Sequence, residues 1–261
     1  MLPEPLLSAA VLAFGLVVGS FANVCIHRLP LGLSVVSPGS SCPRCAAPVR
    51  AWQNVPVLSF LLLRGRCAAC RAPIAWRYPL VEAANGALWL ALLHAHGPAP
   101  ATLVRALLAT ALLILALIDL EHYILPDVIT LPGVACGVLA SFVPGWPVGW
   151  KEAALTALAG YATFGLLAWA WKRLRGIEAL GQGDWKLAAM LGAFLGWHAL
   201  LLVVFLASLA GTLVGLGLMA VSRSHDLRTR LPLGTFLGAA GIAALLVGDA
   251  LLAWYGAFGR G

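Results

Sequence analysis

The sequence predicts an all-α, polytopic membrane protein of about eight transmembrane helices with one small cytoplasmic zinc-binding insertion. Three observations predict it. Hydrophobic residues make up 61% of the chain and charged residues only 10%, with a mean hydropathy of +0.93, far from an ordinary soluble domain. Apolar stretches of spanning length recur along the chain. The basic residues gather in the connections on one side.

Spans are expected near 5–26, 79–96, 101–118, 128–145, 151–171, 186–197, 199–221 and 233–256, with the sixth short and its division from the seventh undecided. The first stretch resembles a secretory h-region, but it lacks a basic n-region and an Ala-X-Ala cleavage site, so it reads as a retained helix. The expected organisation is therefore a first transmembrane helix over 1–27, an insertion over 28–78 and a helical membrane domain over 79–261. Seven arginines lie in the first connection (Arg28, Arg44, Arg50, Arg64, Arg66, Arg71, Arg77). Lys172, Arg173, Arg175 and Lys186 flank the fifth-to-sixth connection, and Arg223, Arg228 and Arg230 precede the last span, so fourteen of the 17 basic residues share one side. That side is cytoplasmic by the positive-inside rule, and both termini fall outside. A basic rim beside anionic membrane lipid accounts for the net charge of +7, so no nucleic-acid partner is required.

The insertion carries two Cys-X-X-Cys knuckles, Cys42/Cys45 and Cys67/Cys70, separated by 21 residues. This spacing suits a tetrahedral four-thiolate site, and soft thiolates favour zinc over oxygen-seeking hard cations. A cytoplasmic position keeps the thiols reduced. Four thiolates leave no open position for water, so the metal reads as a structural staple for about fifty residues with little core. Cys25 and Cys136 are isolated and read as packing residues, and His94 and His96 as structural. Trp146 and Trp150 suit an interfacial belt, and Gly211 and Gly215 suit close helix packing.

Chemistry concentrates in two acids at segment boundaries, Asp119 in ILALIDLEHYILPD and Asp184 in GQGDWKL. An ionisable group at membrane depth is costly and marks a functional site by default. Pro126 breaks the chain near Leu125, which separates Asp119 from Asp127. Gly181 and Gly183 permit close approach ahead of Asp184 at the start of an apolar helix. Were the two acids to meet, one could take a proton from water while the other serves the amide carbonyl, and the pair would titrate as a unit. Three readings stay open on these grounds: a catalytic pair, helix-end or capping roles, and ion-coupled transport through Asp119 and Asp184. There is no Gly-X-Ser-X-Gly elbow and no His-Glu-X-X-His helix.

The ordered set GSFANVCIHRLP, the paired knuckles, RYPLVEAANG, IDLEHYILPD, GQGDWKL and LPLGTFLG resembles the prepilin peptidases of type IV pilus and type II secretion systems. The resemblance covers nearly the whole chain. It implies a bacterial inner-membrane enzyme whose catalytic aspartates are Asp119 and Asp184, facing the cytoplasm. Such enzymes cut the short basic leader of a prepilin or pseudopilin after glycine, then methylate the new amino terminus using S-adenosylmethionine. Asp127, Glu82 and Lys186 match family positions and are carried over as supporting or substrate-contact residues, with Gly181 and Gly183 beside Asp184. The full cysteine set matches the zinc-bearing members. The methyl donor's site is unassigned, with Asn23 and Arg28 as candidates, since no nucleotide-binding βαβ unit exists. Glu82, Glu121, Asp127 and Glu178 are the candidates for an acidic patch that receives the basic leader.

Overall fold

A computed structural model describes residues 3–176, 180–222 and 231–258. Among them the regular structure is helical, as the composition requires. The principal helices are α1 (Glu4–Arg28), α2 (Leu58–Leu62), α3 (Arg77–His96), α4 (Pro100–His122), α5 (Asp127–Ala140), α6 (Trp150–Arg175), α7 (Gln182–Ser222) and α8 (Leu233–Phe258). Among the described residues four segments are long and apolar enough to cross a membrane: Glu4–Leu31, Pro100–His122, Trp150–Arg175 and Gln182–Ala220. Asp127–Ala140 and Leu233–Gly248 are shorter apolar helices. The chain is thus a multi-pass, all-α membrane protein.

It divides into two compact units, one of Met1–Pro98 with Ala106–Thr110 and one of Ala99–Arg105 with Ala111–Gly261. In the first unit α1 packs on α3 because glycines remove the bulk between them. A methyl group on Gly15 would lie 2.9 Å from Trp89 Cβ, and one on Gly19 would lie 2.9 Å from the Glu82 Cα. A buried polar chain then locks the register: Asn85 Nδ2 donates to the Gly15 carbonyl at 2.7 Å, and Asn85 Oδ1 accepts from Thr110 Oγ1 at 2.8 Å. Trp89 Nε1 donates to the same hydroxyl at 2.9 Å. Fully satisfied networks of this kind are specific because any broken member leaves a buried polar atom unpaired.

The second unit packs α7 against α5, α6 and α8. Its tight points are again small residues. A methyl on Gly160 would meet the Ala188 carbonyl oxygen at 2.8 Å, and one on Gly192 would meet that of Thr156 at 2.6 Å. Gly211 faces the Phe236 ring, whereas Gly215 meets Leu231.

Several expected boundaries shift for identifiable reasons. The sixth and seventh stretches are two helical segments of α7 that divide at Gly196, close to the expected division, and its φ of 72° and ψ of −176° are tolerated readily only by glycine. The backbone N–H of Trp197, freed by the break, donates to Glu152 Oε1 at 3.2 Å. The fourth stretch yields only the 14 residues of α5, because Pro144 and Pro147 follow it. The third continues past Asp119 to His122 and stops at Tyr123, which caps it in the left-handed region at φ 57°. Cys25 is buried as expected, but Cys136 is exposed and packs nothing of the core. Arg223, Arg228, Arg230 and Glu178 lie outside the described residues.

Candidate active site

Asp119 sits in the last turn of α4, 5% exposed. Its Oδ2 accepts the backbone N–H of Thr235 at 2.8 Å and the Thr235 hydroxyl at 3.3 Å. That hydroxyl also donates to the Ala116 carbonyl at 2.9 Å, one turn earlier on α4. Thr235 belongs to the first turn of α8, where its N–H is shared between the Pro232 carbonyl at 3.2 Å and the carboxylate, as first-turn N–H groups can receive an anion. The acid of one helix is therefore held by the amino terminus of another.

Asp184 opens α7 in a related way. Its Oδ2 accepts the N–H of Gly181 at 3.0 Å, and its own N–H donates to the Gly181 carbonyl at 3.1 Å. This is the reciprocal half of a capping box, with the acid three residues into the helix rather than at its cap. Asp184 is partly exposed and lies within Coulombic range of Asp119. Leu125, buried in the break between α4 and α5, joins the two acid-bearing ends. A methyl on Gly183 would lie 2.9 Å from Leu125 Cβ. One on Gly234 would lie 2.8 Å from Leu125 Cδ1 and 3.0 Å from Asp119 Cγ and Oδ2. Glycine is needed at both positions because the chains approach too closely for a side chain.

Asp127 and Lys186 come together as a pair, with Nζ 2.7 Å from both carboxylate oxygens. The contact ties the first turn of α5 to the first turn of α7, two residues after Asp184. Asp119 and Asp127 do not share a helix face, in keeping with the break at Pro126.

Glu82 belongs to the first unit. It is buried on α3, and its Oε2 accepts the Val57 N–H at 2.8 Å. Val57 has φ 61° and ψ −49°, a strained conformation for a β-branched residue that neighbouring structure must hold in place. Glu82 thus clamps the insertion to the helix pair. Of the acids expected to form a patch, Glu82 is buried there, while the Asp127 side chain is 56% exposed and paired with Lys186.

The insertion contains two copies of one turn. Cys42 N–H donates to the Ala47 carbonyl at 2.9 Å and Ala46 N–H to the Cys42 carbonyl at 2.9 Å. Cys67 with Ala72, and Arg71 with Cys67, repeat this at 2.8 and 3.0 Å. Ala46 and Arg71 turn back with φ of 56° and 61°, and bridges Ser41↔Pro48 and Arg66↔Pro73 close the turns. All four Sγ atoms lie within 4.8 Å of one another. The Cys42–Cys70 separation is 3.9 Å, against about 3.8 Å between sulfurs placed tetrahedrally on zinc. Donation from the Cys45 and Arg44 amides lowers the Cys42 pKa to about 6. The Cys70 and Ala69 amides lower that of Cys67, whereas Cys45, despite the Ala47 amide, is pushed up to about 11 by hydrogen bonding with the neighbouring thiols of Cys70, Cys42 and Cys67. The arrangement fits a metal ion.

Asn23 and Arg28, the candidates for the methyl donor, both contact backbone carbonyls. Asn23 is 2% exposed and donates to the Tyr78 carbonyl at 3.1 Å. Arg28 directs its guanidinium to the carbonyls of Ser34 at 2.9 Å and Pro38 at 2.7 Å. The nitrogens of both fasten chain segments, while Asn23 Oδ1 is buried without a hydrogen-bond partner among the described residues.

Sequence reasoning assigned no role to Gly234, Thr235 or Leu125. The signal was present in LPLGTFLG, where Pro232 opens an apolar helix with free N–H groups in its first turn, but nothing local says that α4 supplies the anion.

These features define a multi-pass membrane protein with a carboxylate pair at helix ends and a separate thiol cluster. Residues 13–96 match the Bacterial Peptidase A24 N-terminal domain, and residues 106–216 match the Type IV leader peptidase family. The chain is 41% identical over 269 residues to the prepilin leader peptidase/N-methyltransferase of Aeromonas hydrophila, covering 94% of this chain and 92% of that one. It is 42% identical over 273 residues to that of Burkholderia pseudomallei strain K96243 (95% and 87%). Against that of Pseudomonas aeruginosa it is 38% identical over 264 residues (92% and 90%). No solved structure shows a significant match. The chain belongs to the type IV leader peptidase family.

Proposed function

We propose that this protein is a membrane aspartic endopeptidase that removes the basic leader of type IV prepilins or pseudopilins after glycine and N-methylates the new terminus. Family membership at 41% identity over 94% of the chain supports both activities. The observation that carries the catalytic assignment is the convergence of Asp119 and Asp184 around Leu125.

In the proposed mechanism, Thr235 and the Gly181 amide each occupy one oxygen, Oδ2, of the two acids. The Oδ1 atoms are assigned the proton transfers. One carboxylate takes a proton from water as its oxygen attacks the scissile carbonyl, and the other acid protonates the developing oxyanion. Collapse of the tetrahedral intermediate breaks the C–N bond as the acid that took the water proton gives it to the leaving amine and the other carboxylate takes a proton back from the gem-diol hydroxyl. The pair shares its protons, so neither member is given a fixed state. Lys186 and Asp127 keep the α7 amino terminus, and with it Asp184, in register against α5.

Cys42, Cys45, Cys67 and Cys70 would hold a structural zinc, which gives the insertion a fixed core and takes no part in hydrolysis. The methyl donor is S-adenosylmethionine, which supplies the transferred methyl group, and no step is assigned to Asn23 or Arg28. The full topology is eight crossings of the bacterial inner membrane, with the acids and the insertion cytoplasmic and both termini periplasmic. The charge distribution supports it.

The test is leader release by purified enzyme in liposomes, read by mass, with Asp119→Asn and Asp184→Asn. Loss of cleavage in both, with methylation of a pre-cleaved substrate retained, supports the assignment. Cleavage by either variant at the normal rate, or proton flux without substrate, refutes it.

A further inference from the structure

The insertion leaves an apolar face uncovered. In α2, Leu58, Leu61 and Leu62 are 59%, 61% and 77% exposed, and their i, i+3, i+4 spacing puts them on one side of the helix. On the other side Phe60 is buried and packs on Trp76, ring centroids 4.8 Å apart. Trp76 is itself 68% exposed. Three leucines and an indole turned outward from so small an element are unusual for a surface in water.

The surrounding charge selects what covers them. Residues 28–78 contain seven arginines and no aspartate or glutamate. Arg64 and Arg66 follow α2 directly, and Arg77 adjoins Trp76. Leucines for the acyl boundary, a tryptophan for the headgroup level and an arginine rim are the chemistry of an interfacial anchor. A basic partner is repelled by the same rim. The insertion also begins where a membrane-crossing segment ends, at Leu31, so the bilayer is the adjoining surface. Glu82 fixes the approach, because it holds the backbone of Val57 immediately ahead of α2.

We infer that the Leu58–Leu61–Leu62 face of α2 docks into the interfacial layer of the membrane, with the exposed Trp76 indole at the headgroup level and Arg64, Arg66 and Arg71 engaging anionic lipid headgroups. The insertion is a peripheral membrane anchor as well as a metal-stapled loop. It lies against the bilayer instead of standing free in water.

Full-length enzyme carrying a photoreactive phenylalanine derivative in place of Leu62 tests this in nanodiscs. One set contains phosphatidylcholine alone, and the other phosphatidylcholine with phosphatidylglycerol, each with and without a prepilin. The expected products are adducts to lipid acyl chains, at higher yield in the phosphatidylglycerol discs. Arg64→Gln, Arg66→Gln and Arg71→Gln together should lower the docked-to-undocked ratio there by about fivefold per arginine removed, leaving the phosphatidylcholine discs unchanged. Unchanged amide-exchange protection of α2 in detergent shows that this variant is folded. Should it not fold, the two lipid compositions compared with the arginines intact decide alone. Adducts to prepilin, adducts to a second copy of the chain, equal lipid yields in both compositions, or no adduct each overturn the inference.

Discussion

Replacing Gly234 with alanine is the sharpest probe of how the acid on α4 is held. The added methyl would sit 3.0 Å from Asp119 Cγ and 2.8 Å from Leu125 Cδ1. Comfortable carbon–carbon separations are about 3.5–4.0 Å, so Leu125 must retreat by roughly 0.7–1.2 Å and Asp119 by roughly 0.5–1 Å. Leu125 can rotate. Asp119 is held by the Thr235 N–H at 2.8 Å, and any retreat breaks that contact or swings the carboxylate. A misplacement of about 1 Å at a reacting group costs on the order of 10²-fold in rate, whereas overpacking alone costs about 1–3 kcal/mol of stability. The expectation for Gly234→Ala is a fall in kcat of about 10- to 100-fold in prepilin cleavage, with KM within about twofold and near-normal protein in the membrane. Adding Leu125→Ala separates the two neighbours: it relieves the leucine contact and should not restore kcat. An unchanged kcat, or full recovery in the double variant, would refute the positioning of Asp119 by the α8 amino terminus.

The remaining predictions concern the parts around that centre. Asp127→Asn and Lys186→Met should each reduce cleavage several-fold. Their coupling in a double-variant cycle should be about 0.5–1 kcal/mol, because the Asp127 side chain is 56% exposed and solvent screens the pair. Additive losses would show that the two act separately. Glu82→Gln should process normally, since the amide oxygen can still accept the Val57 N–H, while Glu82→Ala should expose the insertion to limited proteolysis at a cost of about 1–3 kcal/mol. Equal loss in both would assign Glu82 to substrate charge instead. Cys42→Ser or chelation should release metal and lower the protein's abundance, read by metal analysis and immunoblot; full metal content would contradict the staple.

The membrane class, most helix positions and the cysteine quartet were legible because hydropathy and ligand spacing are local properties of the chain. Gly196 shows where that stops: the sequence divides the sixth and seventh stretches near it, but the position of the break is fixed by its positive φ. Thr235 shows a second limit. Its bond to Asp119 joins residues 116 positions apart, which no window of sequence contains. Glu82 shows a third, since an acid opposite a strained valine looks in sequence like any acid near a membrane. The pairing of Asp127 with Lys186 is hidden in the same way, although each residue stands out in its own motif.

A structure of the Asp119→Asn variant with a bound prepilin would test the two-acid mechanism most directly. A terminal side-chain atom at position 119 and Asp184 Oδ1 should both lie within about 2.6–3.2 Å of the scissile carbonyl or of a single water beside it. A scissile bond beyond the reach of one water from either position would contradict it.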